Sequence, residues 1–109
     1  MTHASVHVLP VTGNVAELAA ETIANRLLAR PRLRLLLPTG HTPLALYEAL
    51  RRRRAAGLLP DAGAAEVFQL DEYRGVAEAD ERSYRAYLRR ELAGTGLGLA
   101  HVIDASADD

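Results

Sequence analysis

The sequence contains no cysteine, no tryptophan and no lysine, and only one phenylalanine. Without cysteine, disulfides, thiolate nucleophiles and thiolate-held metals are all excluded. Without lysine, no mechanism can depend on an amine side chain; all 13 basic residues are arginine. No apolar stretch approaches the roughly 20 residues of a membrane helix. The opening residues, MTHASVHVLP, lack the basic segment and apolar run of a secretory signal. A formal net charge of −1 provides no field to draw the chain to nucleic acid. The expectation is a cytoplasmic protein with no membrane or nucleic-acid partner.

What is present suits a small globular unit. With 109 residues, 49% of them hydrophobic and 25% charged, the chain can bury one core. Residues 5–11 read as a first strand, with Val6, Val8 and Val11 among polar positions. Asn14 then offers a helix N-cap, with Glu17 at the capping-box spacing. Val15, Leu18, Ala19, Ile23 and Leu27 recur at helical spacing until Pro31 ends the segment. Residues 33–37 are almost continuously apolar, as in a strand buried on both faces of a parallel sheet. A second helix is predicted over 43–56, a third strand over 65–70 and a third helix over 81–92. Residues 94–98, GTGLG, read as a flexible link to a fourth strand over 101–104. The order βαβαβαβ predicts a mostly parallel sheet with helices on its faces, in one α/β domain over residues 1–109. The last strand lacks a covering helix, so the expectation is part of a larger unit.

In parallel sheets, ligands sit beyond the carboxyl ends of the strands. Two polar clusters fall there. The first is LPTGHTP at 37–43, where Gly40 permits close backbone approach and Thr39 and Thr42 supply hydroxyls. The helix that follows aims its first N–H groups at the crevice, which favours anions. Ordinary turn chemistry explains the same letters, with Thr42 as a helix cap. The second cluster, FQLDEYRG at 68–75, ends a strand on Asp71 and Glu72. Asp71 there suits a general base, or else a turn cap with Glu72 in solvent. The run of Arg51 to Arg54 reads as a solvated helix end. His3, His7 and His101 lack metal-ligand spacing, and Ser83 has no histidine partner for nucleophilic work.

Taken in register, LPTGHTPLALYEAL at 37–50, FQLDEYRG at 68–75 and ERSYRAYL at 81–88 resemble glucosamine-6-phosphate deaminases. In that family a Leu-Pro-Thr-Gly-Gly-Thr-Pro turn precedes a helix carrying a tyrosine, matched here by Tyr47. A strand ending Met-Asp-Glu-Tyr-x-Gly and a Ser-Tyr helix start follow, matched by Leu70 to Gly75 and by Ser83 and Tyr84. The resemblance implies a three-layer αβα fold of the deaminase and 6-phosphogluconolactonase superfamily. It implies that Thr39, Gly40, His41 and Thr42 hold a sugar 6-phosphate. It implies that Asp71 carries a proton from C2 to C1 of the ring-opened amino sugar, releasing ammonia and fructose 6-phosphate. Glu72 counts with the substrate-binding residues, orienting the loop with Tyr73. No metal or organic cofactor is implied, and a homo-oligomer is allowed.

Two departures stand out. His41 replaces the second family glycine, where a positive φ and space for phosphate are expected. The family's Gly-x-Gly-x-Asp-Gly-His segment has no counterpart here, so the 109 residues are expected to be an N-terminal portion without the ring-opening histidine. A lactone hydrolase is the alternative within the superfamily, although its usual Trp-x-Asp-Glu-Arg strand end would need a tryptophan. A non-catalytic sugar-phosphate-binding domain is the other.

Overall fold

In the computed structural model, residues 14–77 and 79–103 are described. The strand expected over 5–11 and the end of the one expected over 101–104 lie outside them. The elements are α1 (Val15–Ala29), β1 (Arg34–Leu37), α2 (Leu44–Ala55), β2 (Glu66–Gln69), α3 (Tyr84–Leu92) and β3 (Leu99–His101). Asn14 caps α1 as its type suggests, its Oδ1 accepting from the Glu17 N–H at 3.2 Å. The Glu17 carboxylate turns outward to Arg52, at 2.6 Å. Helix α3 starts later than residue 81 for a local reason. Asp80 holds the Arg82 N–H and guanidinium in a turn, and the Ser83 side chain then caps the helix by accepting from Ala86 N–H at 3.1 Å.

The strands pair in parallel in the order β1-β2-β3. Successive right-handed crossovers in one direction put α2 and α3 on the same face, and α1 packs on α2. One apolar cluster joins Ala20, Ala24 and Leu27 of α1 to Tyr47 and Leu50 of α2 and Leu88 and Leu92 of α3. Their three- and four-residue spacings keep each set on one helix face. Leu37 and Val67 meet them from the sheet. Strand alternation turns Leu36, Phe68 and His101 the other way, and Leu36 is 60% exposed there. Phe68 stacks on His101 at 4.1 Å, and His101 pairs with Glu66. The described residues thus build the sheet and one helical layer of the expected three.

Two sequence expectations need correction. Arg51 to Arg54 are only in part a solvated helix end: Arg52 and Arg54 are exposed, whereas Arg51 and Arg53 are half-buried. Arg51 donates to the Glu91 carbonyl at 2.6 Å, Arg52 pairs with Glu17 and Glu48, and Arg54 lies over Gly96. The pairs of Arg52 are exposed to solvent, which screens them; the arginine stems contribute by covering neighbouring surface. Nor is the segment 94–98 a loose link. Thr95 is fully buried; its hydroxyl donates to the Leu92 carbonyl at 2.6 Å and accepts from Leu97 N–H at 3.0 Å. Gly96 has φ +83 and Arg54 Nη1 occupies the space a Cβ would take, at 1.7 Å. Replacing Gly96 by Ala should therefore cost about 1–2 kcal/mol from the left-handed backbone, with displacement of Arg54 added. A thermal midpoint lowered by several degrees is expected, and an unchanged midpoint would refute the packing described.

Candidate functional site

The register Leu37↔Gln69 brings the carboxyl ends of β1 and β2 side by side. The turn after β1 and the loop after β2 therefore lie at the same end of the sheet. Within the turn, Gly40 takes the left-handed backbone at φ +98, with open space where a Cβ would stand. His41 does not: among the described residues no non-glycine has a positive φ. The steric cost expected at His41 is absent, because the glycine that precedes it makes the bend. Thr42 is not the helix cap either. Pro43 occupies that position in helical conformation, without a side-chain cap bond.

The turn's donors are consequently unspent. Among the described residues, none of the N–H groups of Thr39, Gly40, His41 and Thr42 reaches a protein acceptor. The two threonine hydroxyls and the His41 ring are likewise uncommitted. The carbonyls are treated differently. The Tyr47 phenol donates to the Pro38 carbonyl, and the Tyr87 phenol to the Gly40 carbonyl at 2.5 Å. Burial, with the Glu91 charge adding, pushes the Tyr87 phenol above its ordinary pKa; burial, with Tyr87 and Glu91 adding, does the same to Tyr47. Both phenols therefore stay protonated as donors near neutral pH.

In the neighbouring loop, Asp71 is exposed and Glu72 is not: its side chain is 0% exposed. Glu72 accepts from Gln69 Nε2 at 2.7 Å, Tyr73 N–H at 3.0 Å, Tyr84 N–H at 2.8 Å and Arg85 N–H at 3.1 Å. Arg85 Nη1 donates at 3.2 Å, from a side chain only 1% exposed. Burial alone would raise the Glu72 pKa, but the bonds from Tyr84, Gln69, Arg85 and Tyr73 outweigh it, and the net direction is down. Gln69 passes the network on, its Oε1 accepting from Ile103 N–H at 2.9 Å just beyond β3.

A cleft of about 280 Å³ joins the turn to the start of α3. Thr39, Gly40 and His41 line one side; Tyr73, Arg82, Ser83, Tyr84 and Arg90 are on the others. Thr42, Asp71 and Glu72 are not among its lining residues. Asp71 is nevertheless close enough for its charge to help raise the pKa of Tyr84, after the larger effects of the Tyr73 hydrogen bond and burial. The described residues contain no cluster of three His, Asp or Glu able to hold a metal ion. No helix among them is long and apolar enough to cross a membrane.

No protein-family model matches the chain. Individual proteins do. The chain is 40% identical over 107 residues to a glucosamine-6-phosphate deaminase of Streptomyces avermitilis, covering 95% of this chain and 41% of that protein. It is 38% identical over 108 residues to the deaminase of an Arthrobacter species, with the same coverage. A solved monomeric glucosamine-6-phosphate deaminase of the NagB superfamily superposes with TM-score 0.76 at 28% identity, over 86% of this chain and 40% of that one. Over the stretch it spans, the chain is similar to these glucosamine-6-phosphate deaminases. That stretch is about two-fifths of the length of these relatives. The relatives named here are all deaminases and lend no support to the lactone-hydrolase alternative.

For a deaminase relative, the residues that sequence reasoning missed are those that hold the loops. Arg85 lies on a helix dense in arginine, so its pattern reads as surface charge; nothing in the spacing marks it as buried. Breaking the pair by Arg85→Met leaves the Glu72 carboxylate buried without its cation. A loss of about 3–5 kcal/mol in stability to denaturant is expected. Because the folded-state pKa of Glu72 is lowered, its contribution is present above the ordinary carboxylate value and lost as pH falls through the folded one. The stability difference between the parent and Glu72→Gln should therefore be largest near neutral pH and shrink in acid. A difference that is constant with pH would show that the Glu72 charge is not what the network holds.

Proposed function

We propose that this chain supplies the phosphate cradle and the proton-transfer carboxylate of an enzyme converting glucosamine 6-phosphate to fructose 6-phosphate and ammonia. The observation that carries this reading is the set of donors at residues 39–42 that meet no acceptor among the described residues, at the start of α2 and beside the strand end that bears Asp71. Consecutive N–H groups and hydroxyls at a helix start suit a phosphate dianion. The deaminase relatives supply the substrate class.

In this reading Thr39, Gly40, His41 and Thr42 hold the 6-phosphate, with the His41 ring a further donor. Asp71 takes the C2 proton of the ring-opened amino sugar, leaving an enolamine. Returning that proton to C1 gives a C2 imine, to which water adds before ammonia leaves. A carboxylate suits both transfers because one oxygen can remove and return the same proton. Glu72 we assign to holding the loop rather than to touching substrate, since its oxygens are met by internal donors. No step needs a metal or organic cofactor. The protein belongs in the cytoplasm, where charged sugar phosphates are retained, and residues 1–109 form one unit of the enzyme's α/β fold.

One feature favours a second reading, sugar-phosphate binding without turnover: Asp71 does not line the cleft that the turn forms with α3. The two readings part in a single pair of measurements. Glucosamine 6-phosphate, but not glucosamine, should shift the amide resonances of residues 39–42. In the protein carrying this sequence, Asp71→Asn should lower ammonia release by about a hundredfold or more while leaving phosphate binding intact. Binding with no ammonia release from the parent favours the second reading; no phosphate-dependent shift removes both.

A further inference from the structure

Tyr47 and Tyr87 reach the turn from two helices and meet each other edge to face, with ring centroids 6.2 Å apart. Each phenol grips a carbonyl, Pro38 for Tyr47 and Gly40 for Tyr87. The described residues contain no cis peptide, and in a trans peptide the carbonyl and the next N–H point in opposite directions. Fixing the Pro38 carbonyl therefore aims the Thr39 N–H away from the tyrosine pair. Fixing the Gly40 carbonyl aims the His41 N–H away from the Tyr87 hydroxyl. The two carbonyls cannot swing round to oppose an anion while the phenols hold them.

We propose that Tyr47 and Tyr87 are positioning residues that clamp the peptide planes of the turn, so that the Thr39 and His41 N–H groups are presented together to a phosphate monoester. The inference rests on the sugar-phosphate reading of this turn. Tyr47 is fully buried in the core and sets the clamp's fixed side. Tyr87 belongs to α3, whose first N–H groups are held by Glu72, so the clamp also ties the turn to the loop bearing Asp71. His41, standing where the family resemblance leads one to expect a second glycine, thus contributes its main chain whatever its ring does.

Tyr87→Phe tests the clamp, because it keeps the ring and its contact with Tyr47 and removes only the hydroxyl. Inorganic phosphate and glucosamine 6-phosphate are titrated into the parent and the variant, following the Thr39 and His41 amide resonances, with thermal midpoints measured alongside. Phosphate affinity about three- to tenfold weaker is expected for the variant, the worth of one hydrogen bond. The His41 resonance should move even without ligand, and the midpoint should change little. Tyr47→Phe should act likewise at Thr39; its deeper burial makes Tyr87→Phe the deciding variant. Parent-like phosphate affinity in Tyr87→Phe overturns the clamp and leaves the sugar-phosphate reading standing. A parent chain that takes up no phosphate overturns that reading, and the clamp with it.

Discussion

The Glu72 carboxylate is a negative charge placed where water does not reach, and the described structure around the site is arranged to satisfy it. An ionised carboxylate in such surroundings is tolerated only when its lone pairs are filled by donors and a cation stands beside it. Here the donors come from the strand end at Gln69, from the loop at Tyr73 and from the first turn of α3, and the cation is Arg85. One charge thereby decides how β2, the loop after it and α3 sit against one another. It also satisfies helix N–H groups that would otherwise be unpaired. Through Gln69 the same network reaches the residues just past β3.

Against that rigid hub, the turn after β1 is built in the opposite sense. Two of its carbonyls, Pro38 and Gly40, are tied down by phenols, while its N–H groups and hydroxyls meet no acceptor among the described residues. The two loops are joined by α3, which Glu72 holds at its start and which sends Tyr87 to Gly40 one turn later. This helix is thus the physical link between the turn after β1 and the loop that bears Asp71.

Much of this arrangement could be read before any coordinates. Asn14 as a cap, Pro31 and Pro43 as punctuation and the short apolar run before LPTGHTP placed α1, β1 and α2 within a residue or two. The register of three motifs pointed to the deaminases without a family-wide pattern to lean on. Other residues misled. Four consecutive arginines read as solvent-facing, yet Arg51 is half-buried and donates to the Glu91 carbonyl of α3, and Arg54, though exposed, lies over Gly96. GTGLG read as loose, yet Thr95 and Leu97 are buried in it. The contacts of Arg51 with Glu91 and of Arg54 with Gly96 span some 40 residues of chain, beyond the reach of local composition.

The sequence by itself determined the α/β order, the place of both polar clusters at strand ends and the kinship with the deaminases. Those properties follow from periodicity, turn chemistry and spacing, which are local. Only the tertiary structure decided which of two adjacent acids faces water and which is buried, because strand pairing and the approach of α3 turn Glu72 inward and leave Asp71 out. It also decided that Gly40 rather than His41 makes the bend, and that two tyrosines from different helices hold the turn. Each of these depends on groups brought together by packing, and packing has no signature in a stretch of seven letters.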